Sequence, residues 1–160
     1  MSRTTLGPAL LLAILAGARA AQAQAVMPYG APIGLAAAKK AVAAAEAEAA
    51  KITSTPYVIA IVDPDGQLIY FEREDNAQIG SVRVAIDKAR SAALFRRPTK
   101  VFEDALGAGH TAILALHGAM PSEGGLPLVA GGKIVGAIGA SAGTSHQDGE
   151  VAKAGAGTVK

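Results

Sequence analysis

The 160-residue sequence predicts a single α+β domain whose sheet is mostly antiparallel. Two observations carry this. A segment with helical apolar spacing gives way to short continuous apolar runs. Those runs come in pairs joined by compact turn signatures, Asp63-Pro64-Asp65-Gly66 and Gly131-Gly132. The resulting order is helix, hairpin, helices, hairpin, helix, without the strand–helix alternation that a parallel sheet requires. Apolar residues make up 51% of the chain and aromatics only 4%, so the core must be built from Ala, Val, Ile and Leu. The chain has no Cys, which excludes disulfides, thiolate metal sites and cysteine nucleophiles.

The first 25 residues read as an address rather than as part of the fold. Arg3 precedes the apolar run Pro8 to Ala18, and small-residue sites follow at Ala18-Arg19-Ala20, Ala21-Gln22-Ala23 and Ala23-Gln24-Ala25. This is the pattern of a secretory signal peptide, with an apolar run too short for a permanent span. The mature protein is therefore expected in the periplasm or secreted, with no stable membrane span. Removing residues 1–25 takes away Arg3 and Arg19 and no acidic residue, leaving 13 basic against 13 acidic side chains. A neutral surface offers no footprint for nucleic acid.

Residues 26–32 read as a flexible lead-in to a domain over 33–160. From Ile33 to Ile52 the Ala-dominated sequence places Leu35, Ala38, Val42, Ala45, Ala49 and Ile52 on one helical stripe. Tyr57 to Val62 is apolar on both faces, as in a strand covered on both sides. Pro64 and Gly66 suit a tight turn, and Gln67 to Glu74 returns as the second strand. Ser81 is placed to cap a helix running to Phe95, with Val82, Ile86, Ala89 and Ala93 inward and Asp87 within reach of Arg83 or Arg90. Arg96 and Arg97 close that helix, and a short one ends near Gly107. Thr111 to Leu116 is apolar and of undetermined type. Leu126 to Ala130 and Lys133 to Ala140 form the second hairpin, where Gly136 and Gly139 signal a bulge or close backbone approach. Thr144 with Gln147, and Ser145 with Asp148, are overlapping cap signals for a last helix.

Chemistry-bearing motifs are sparse. Gly139-Ala140-Ser141-Ala142-Gly143 matches the serine-hydrolase elbow, but it follows a hairpin strand instead of a parallel one. Gly107-Ala108-Gly109 lacks the strand and third glycine of a dinucleotide site. His110, His117 and His146 show no zinc-binding spacing. No catalytic constellation emerges, which favours a binding protein over an enzyme. Two ligand sites remain. The loop Ser141, Gly143, Thr144 enters a helix N-terminus, where free amides suit a carboxylate or phosphate. The cluster Arg96, Arg97 and Lys100 suits carboxylates, while His110 or His117 can serve as an axial ligand to haem iron.

Several segments, in order and spacing, resemble the GlcG/HbpS family over about residues 33–157. They are Leu35-Ala-Ala-Ala-Lys-Lys-Ala-Val42, Val58-Ile-Ala-Ile-Val-Asp-Pro-Asp-Gly66, Lys88-Ala-Arg-Ser-Ala-Ala-Leu-Phe95 with Arg97-Pro-Thr99, Gly124-Gly-Leu-Pro127 and Gly136-Ala-Ile-Gly-Ala-Ser141 with Gly143-Thr144 and Gln147-Asp148. Ala142 stands where many relatives have Gly. The resemblance implies a five-stranded antiparallel sheet flanked by helices, profilin-like, in a homo-oligomer, and a haem-binding activity linked in some members to iron sensing or haem degradation. The segment His110-Thr111 to Met120 is then the region matched to haem contact. His117 or His110 would meet the iron, Thr111 and Met120 would be weaker ligands, and Arg96, Arg97 and Lys100 would receive propionates. Two other functions fit the same sequence: a small-carboxylate binding protein or enzyme using the Ser141–Thr144 loop, and a ligand-free oligomeric structural protein.

Overall fold

A computed structural model describes residues 26–160; the leader expected over residues 1–25 lies outside them. The elements are α1 (Leu35–Ile52), β1 (Val58–Val62), β2 (Leu68–Arg73), α2 (Ile79–Phe95), α3 (Lys100–Gly107), a 3-10 helix (Thr111–Ala115), β3 (Gly125–Ala130), β4 (Lys133–Ser141) and α4 (Ser145–Ala156). The strands form one antiparallel sheet in the order β2-β1-β4-β3. Helices α1 and α4 cover one face, over Ile59, Ile61, Ile138 and Ala140. Helix α2 covers the other, over Val58, Ala60, Val62 and Ala137. With both faces covered, every residue of β1 is buried, as its unbroken apolar sequence requires.

Among the described residues the sheet has four strands, not five. The nearest approach to a fifth is the lead-in, which lies along the start of β4 beyond the end of β1. Tyr29 bridges Ile134 in parallel, with Ile134 N donating to Pro28 O (2.9 Å), Gly30 N to Ile134 O (2.8 Å) and Ile33 N to Val135 O (2.7 Å). Pro28 and Pro32 have no N–H to donate, so the pairing stops at a single bridge. Strand β1 pairs with β4 only from Ala137 to Ser141, which leaves that edge free for the lead-in.

Local chemistry explains the turns. Asp63 Oδ1 accepts from Asp65 N and Gln67 N, and Gly66 takes φ +80° at the tip of the first hairpin. Gly131 and Gly132 both have positive φ, as the primed turn of the second hairpin demands. The ladder between β3 and β4 shifts register between Leu128 and Val129, which is the bulge that Gly136 signals. At Gly139, α2 passes so close that a Cβ would strike the Ala85 carbonyl.

Helix α2 departs from expectation in two ways. It begins at Ile79, so Ser81 is a buried residue of its first turn and not its cap. Its inward stripe is also rotated, burying Ala85, Lys88, Ala89 and Ala92, with Val82 and Ile86 only partly covered. Close packing against Gly139 and Gly125 selects the small side chains for the sheet.

Candidate functional site

The segment from His110 to Met120 has few tethers. The Thr111–Ala115 helix buries none of its residues, and Leu114 and Leu116 are 66% and 46% exposed. His110 and His117 bracket it, both exposed, and Thr111 is exposed at its first position. At its far end the half-buried Met120 is fastened by its amide, which donates to Ser91 Oγ on α2 (3.0 Å). The result is an apolar ledge carrying two imidazoles, held at its two ends.

Arg96 ends α2 in the left-handed region, φ +53°. Its guanidinium stacks on Tyr29, 4.3 Å from the ring centroid, and donates to Met27 O. Arg97 lies over Phe102, whose ring meets Phe95 edge-on. Neither arginine pairs with a carboxylate within 4 Å among the described residues. Together they line a cavity of about 340 Å3 with Val26, Met27, Phe95 and Val101. Lys100 does not join them; it pairs with Asp104 at 2.7 Å and faces a neighbouring cleft.

The Ser141, Gly143, Thr144 loop is built around a residue that sequence reasoning had treated only as a cap. Thr144 and Gln147 form a reciprocal capping box at the start of α4. Asp148 instead turns inward. One carboxylate oxygen accepts from Ala142 N (3.1 Å) and Gly143 N (3.0 Å), and the other pairs with Lys88 Nζ at 2.6 Å. Both partners are buried, the side chains 1% and 5% exposed. The chain's own carboxylate thus occupies two amides that an external anion would use. The Tyr57 hydroxyl is buried beside this group with no hydrogen-bond partner among the described residues, and burial, reinforced by the Asp148 charge, pushes its pKa upward. Lys88 left one signal in the sequence: it falls on the stripe of Ala85, Ala89 and Ala92, where a lysine needs a buried partner.

His146 is exposed, about 4 Å from both Glu123 and Glu150. Among the described residues no three His, Asp or Glu side chains are grouped to hold a metal ion. No helix among them is long and apolar enough to cross a membrane.

Comparison with known proteins gives a consistent result. A family profile described as haem degrading protein HbpS-like matches residues 33–157. Protein GlcG of Escherichia coli K12 is 38% identical over 101 residues, 63% of this chain and 75% of GlcG. Among solved structures, a double mutant of Streptomyces reticuli HbpS superposes with a TM-score of 0.73 at 30% identity, covering 82% of this chain and 89% of HbpS. The complex of PduOC with heme superposes with a TM-score of 0.72 at 22% identity, covering 81% and 96%. That last likeness is one of fold.

Proposed function

This chain belongs to the HbpS-like family, and from that premise we propose that it is an exported protein that binds haem on an oligomer surface or in a subunit cleft. The observation that carries the reading is the ledge of Thr111–Ala115. Leu114 and Leu116 lie open to solvent between His110 and His117, an apolar surface with imidazoles at its borders. Ala112, Leu114, Ala115 and Leu116 are exposed within one short stretch, and a contiguous apolar surface marks an interaction site where a single exposed residue does not. The residues present suit haem. An imidazole nitrogen of His117 or His110 would ligate the iron, Thr111 and Met120 would be weaker ligands, and the leucines would supply apolar contact. Arg96 and Arg97, which pair with no carboxylate among the described residues, would receive the propionates by charge-assisted hydrogen bonds, with Lys100 a lesser contributor because Asp104 already holds it. Bound haem supplies a redox-active iron; the chain's own residues bind and orient it. The family profile supports this ligand, and the apolar leader of the sequence supports export.

The test is a haemin titration of the purified mature protein followed in the Soret region. A saturable Soret shift is expected, weakened at least about tenfold by His117→Ala or His110→Ala and less by Arg96→Gln. A spectrum that stays that of free haemin, or both histidine variants binding as the parent does, refutes the assignment. Light scattering on the same samples tests self-association, and a monomer would remove the subunit cleft.

A further inference from the structure

A second cleft, of about 330 Å3, lies between the start of α3 and α4. Its floor is narrowed by three buried glycines. Gly124, Gly125 and Gly149 line it, and the packing beneath forbids side chains there. A Cβ on Gly124 would lie 2.7 Å from Ala140 O and 2.8 Å from the Asp148 Cβ, and one on Gly149 would meet the Glu123 carboxylate. Pro98 and Leu126 supply apolar surface around this floor. The cleft therefore offers a narrow apolar seat over Gly124 and Gly125, with the Glu123 side chain covering Gly149, at the small end of the size range of ligand pockets.

The charges around it are of two kinds. Lys153 stands one helical turn after Gly149, lines the cleft, and makes no ion pair within 4 Å among the described residues. Lys100 lines it too, with its ammonium shared with Asp104. Glu123 lies over Gly149 with its side chain 18% exposed, so one wall carries a largely covered carboxylate.

We propose that this cleft binds a small planar monocarboxylate, with its ring on the glycine floor between Pro98 and Leu126 and its carboxylate on Lys153. The Glu123 carboxylate repels a second acidic group, which sets the preference for one charge over two. The cleft borders the arginine cavity through Pro98 and shares Lys100 with the haem reading, but it contains neither histidine nor the arginine pair, and its size suits a single ring in place of a macrocycle with two propionates.

Sodium benzoate is the probe, added to the mature protein and followed by amide NMR. Saturable shifts of the Gly124, Gly125 and Gly149 amides are expected, with a Kd on the order of 1 mM. Lys153→Gln should weaken binding about two- to fivefold, in line with loss of one solvent-facing ion pair. Lys133→Gln, at the start of β4 and the opposite end of the β3–β4 ladder from Gly125, should change nothing. Benzamide, which lacks the charge, and phthalate, which has two, should both bind more weakly than benzoate. Absence of saturable shifts at these glycines, equal binding of benzamide or phthalate, or an unaltered Kd in Lys153→Gln overturns the proposal. Haemin binding should be the same in Lys153→Gln as in the parent, so failure here and failure of the haem reading are separate results.

Discussion

Replacing Asp148 with Asn is the most informative single perturbation of this fold. It keeps the shape and an oxygen that can accept from Ala142 N and Gly143 N, but removes the charge facing Lys88 Nζ at 2.6 Å. The ammonium, on a side chain only 1% exposed, is then left with the Ala140 carbonyl at 3.3 Å as its remaining acceptor. Breaking a buried pair this way costs about 3–5 kcal/mol, against a total stability of about 5–15 kcal/mol for a typical domain. That corresponds to a fall in Tm of roughly 10–20 °C for a chain of this size. Lys88→Met alone should cost less, because two amides still solvate the Asp148 carboxylate. The double variant should be less destabilised than the two single effects summed, with a coupling energy of about 2–3 kcal/mol. Urea unfolding followed by far-UV circular dichroism measures all four corners of the cycle, which suits a protein without Trp. If Asp148→Asn changes stability by less than about 1 kcal/mol, or the two single effects simply add, the pair does not fasten α2 to α4 as argued.

Two further predictions test the two faces of the sheet. Burial, together with the charge of Glu72, raises the Glu46 carboxyl from 4.5 to about 7. The folded protein therefore holds more protons than the unfolded chain between those values, and stability should fall as pH rises through that window, by about 1 kcal/mol after solvent screening. Thermal melts across the window should show the slope in the parent and lose it in Glu46→Gln; an identical slope in both would refute the assignment. On the other face, Gly139→Ala sets a methyl group against the Ala85 carbonyl, a backbone group that cannot swing aside. A loss of about 1–3 kcal/mol is expected from forced separation of α2 and β4, and an unchanged urea midpoint would contradict the close approach.

Much of the local architecture was legible because its causes are local. The Ala stripe of α1, the Asp63–Gly66 turn, the paired glycines 131 and 132, and the Thr144–Gln147 capping box each depend on residues a few positions apart. The family resemblance was also legible, since it rests on short segments in fixed order, and the match over residues 33–157 upholds it. The Ser81 cap failed because helix start signals are weak when an earlier turn can pack: Gln78 precedes the helix without a side-chain cap, and tertiary contacts place the first turn.

What the sequence by itself determined, then, is the set of elements, their order, and the antiparallel class of the sheet. Tertiary structure alone decided three things. It set the strand count at four, because the lead-in meets β4 only where β1 has ended and its prolines cannot extend the ladder. It turned Asp148 from a helix-cap residue into the partner of Lys88, sixty positions away. It also separated Lys100 from Arg96 and Arg97, adjacent in sequence but facing different clefts. Each of these depends on which distant surface lies opposite a residue, and periodicity reports only which face of its own element that residue occupies.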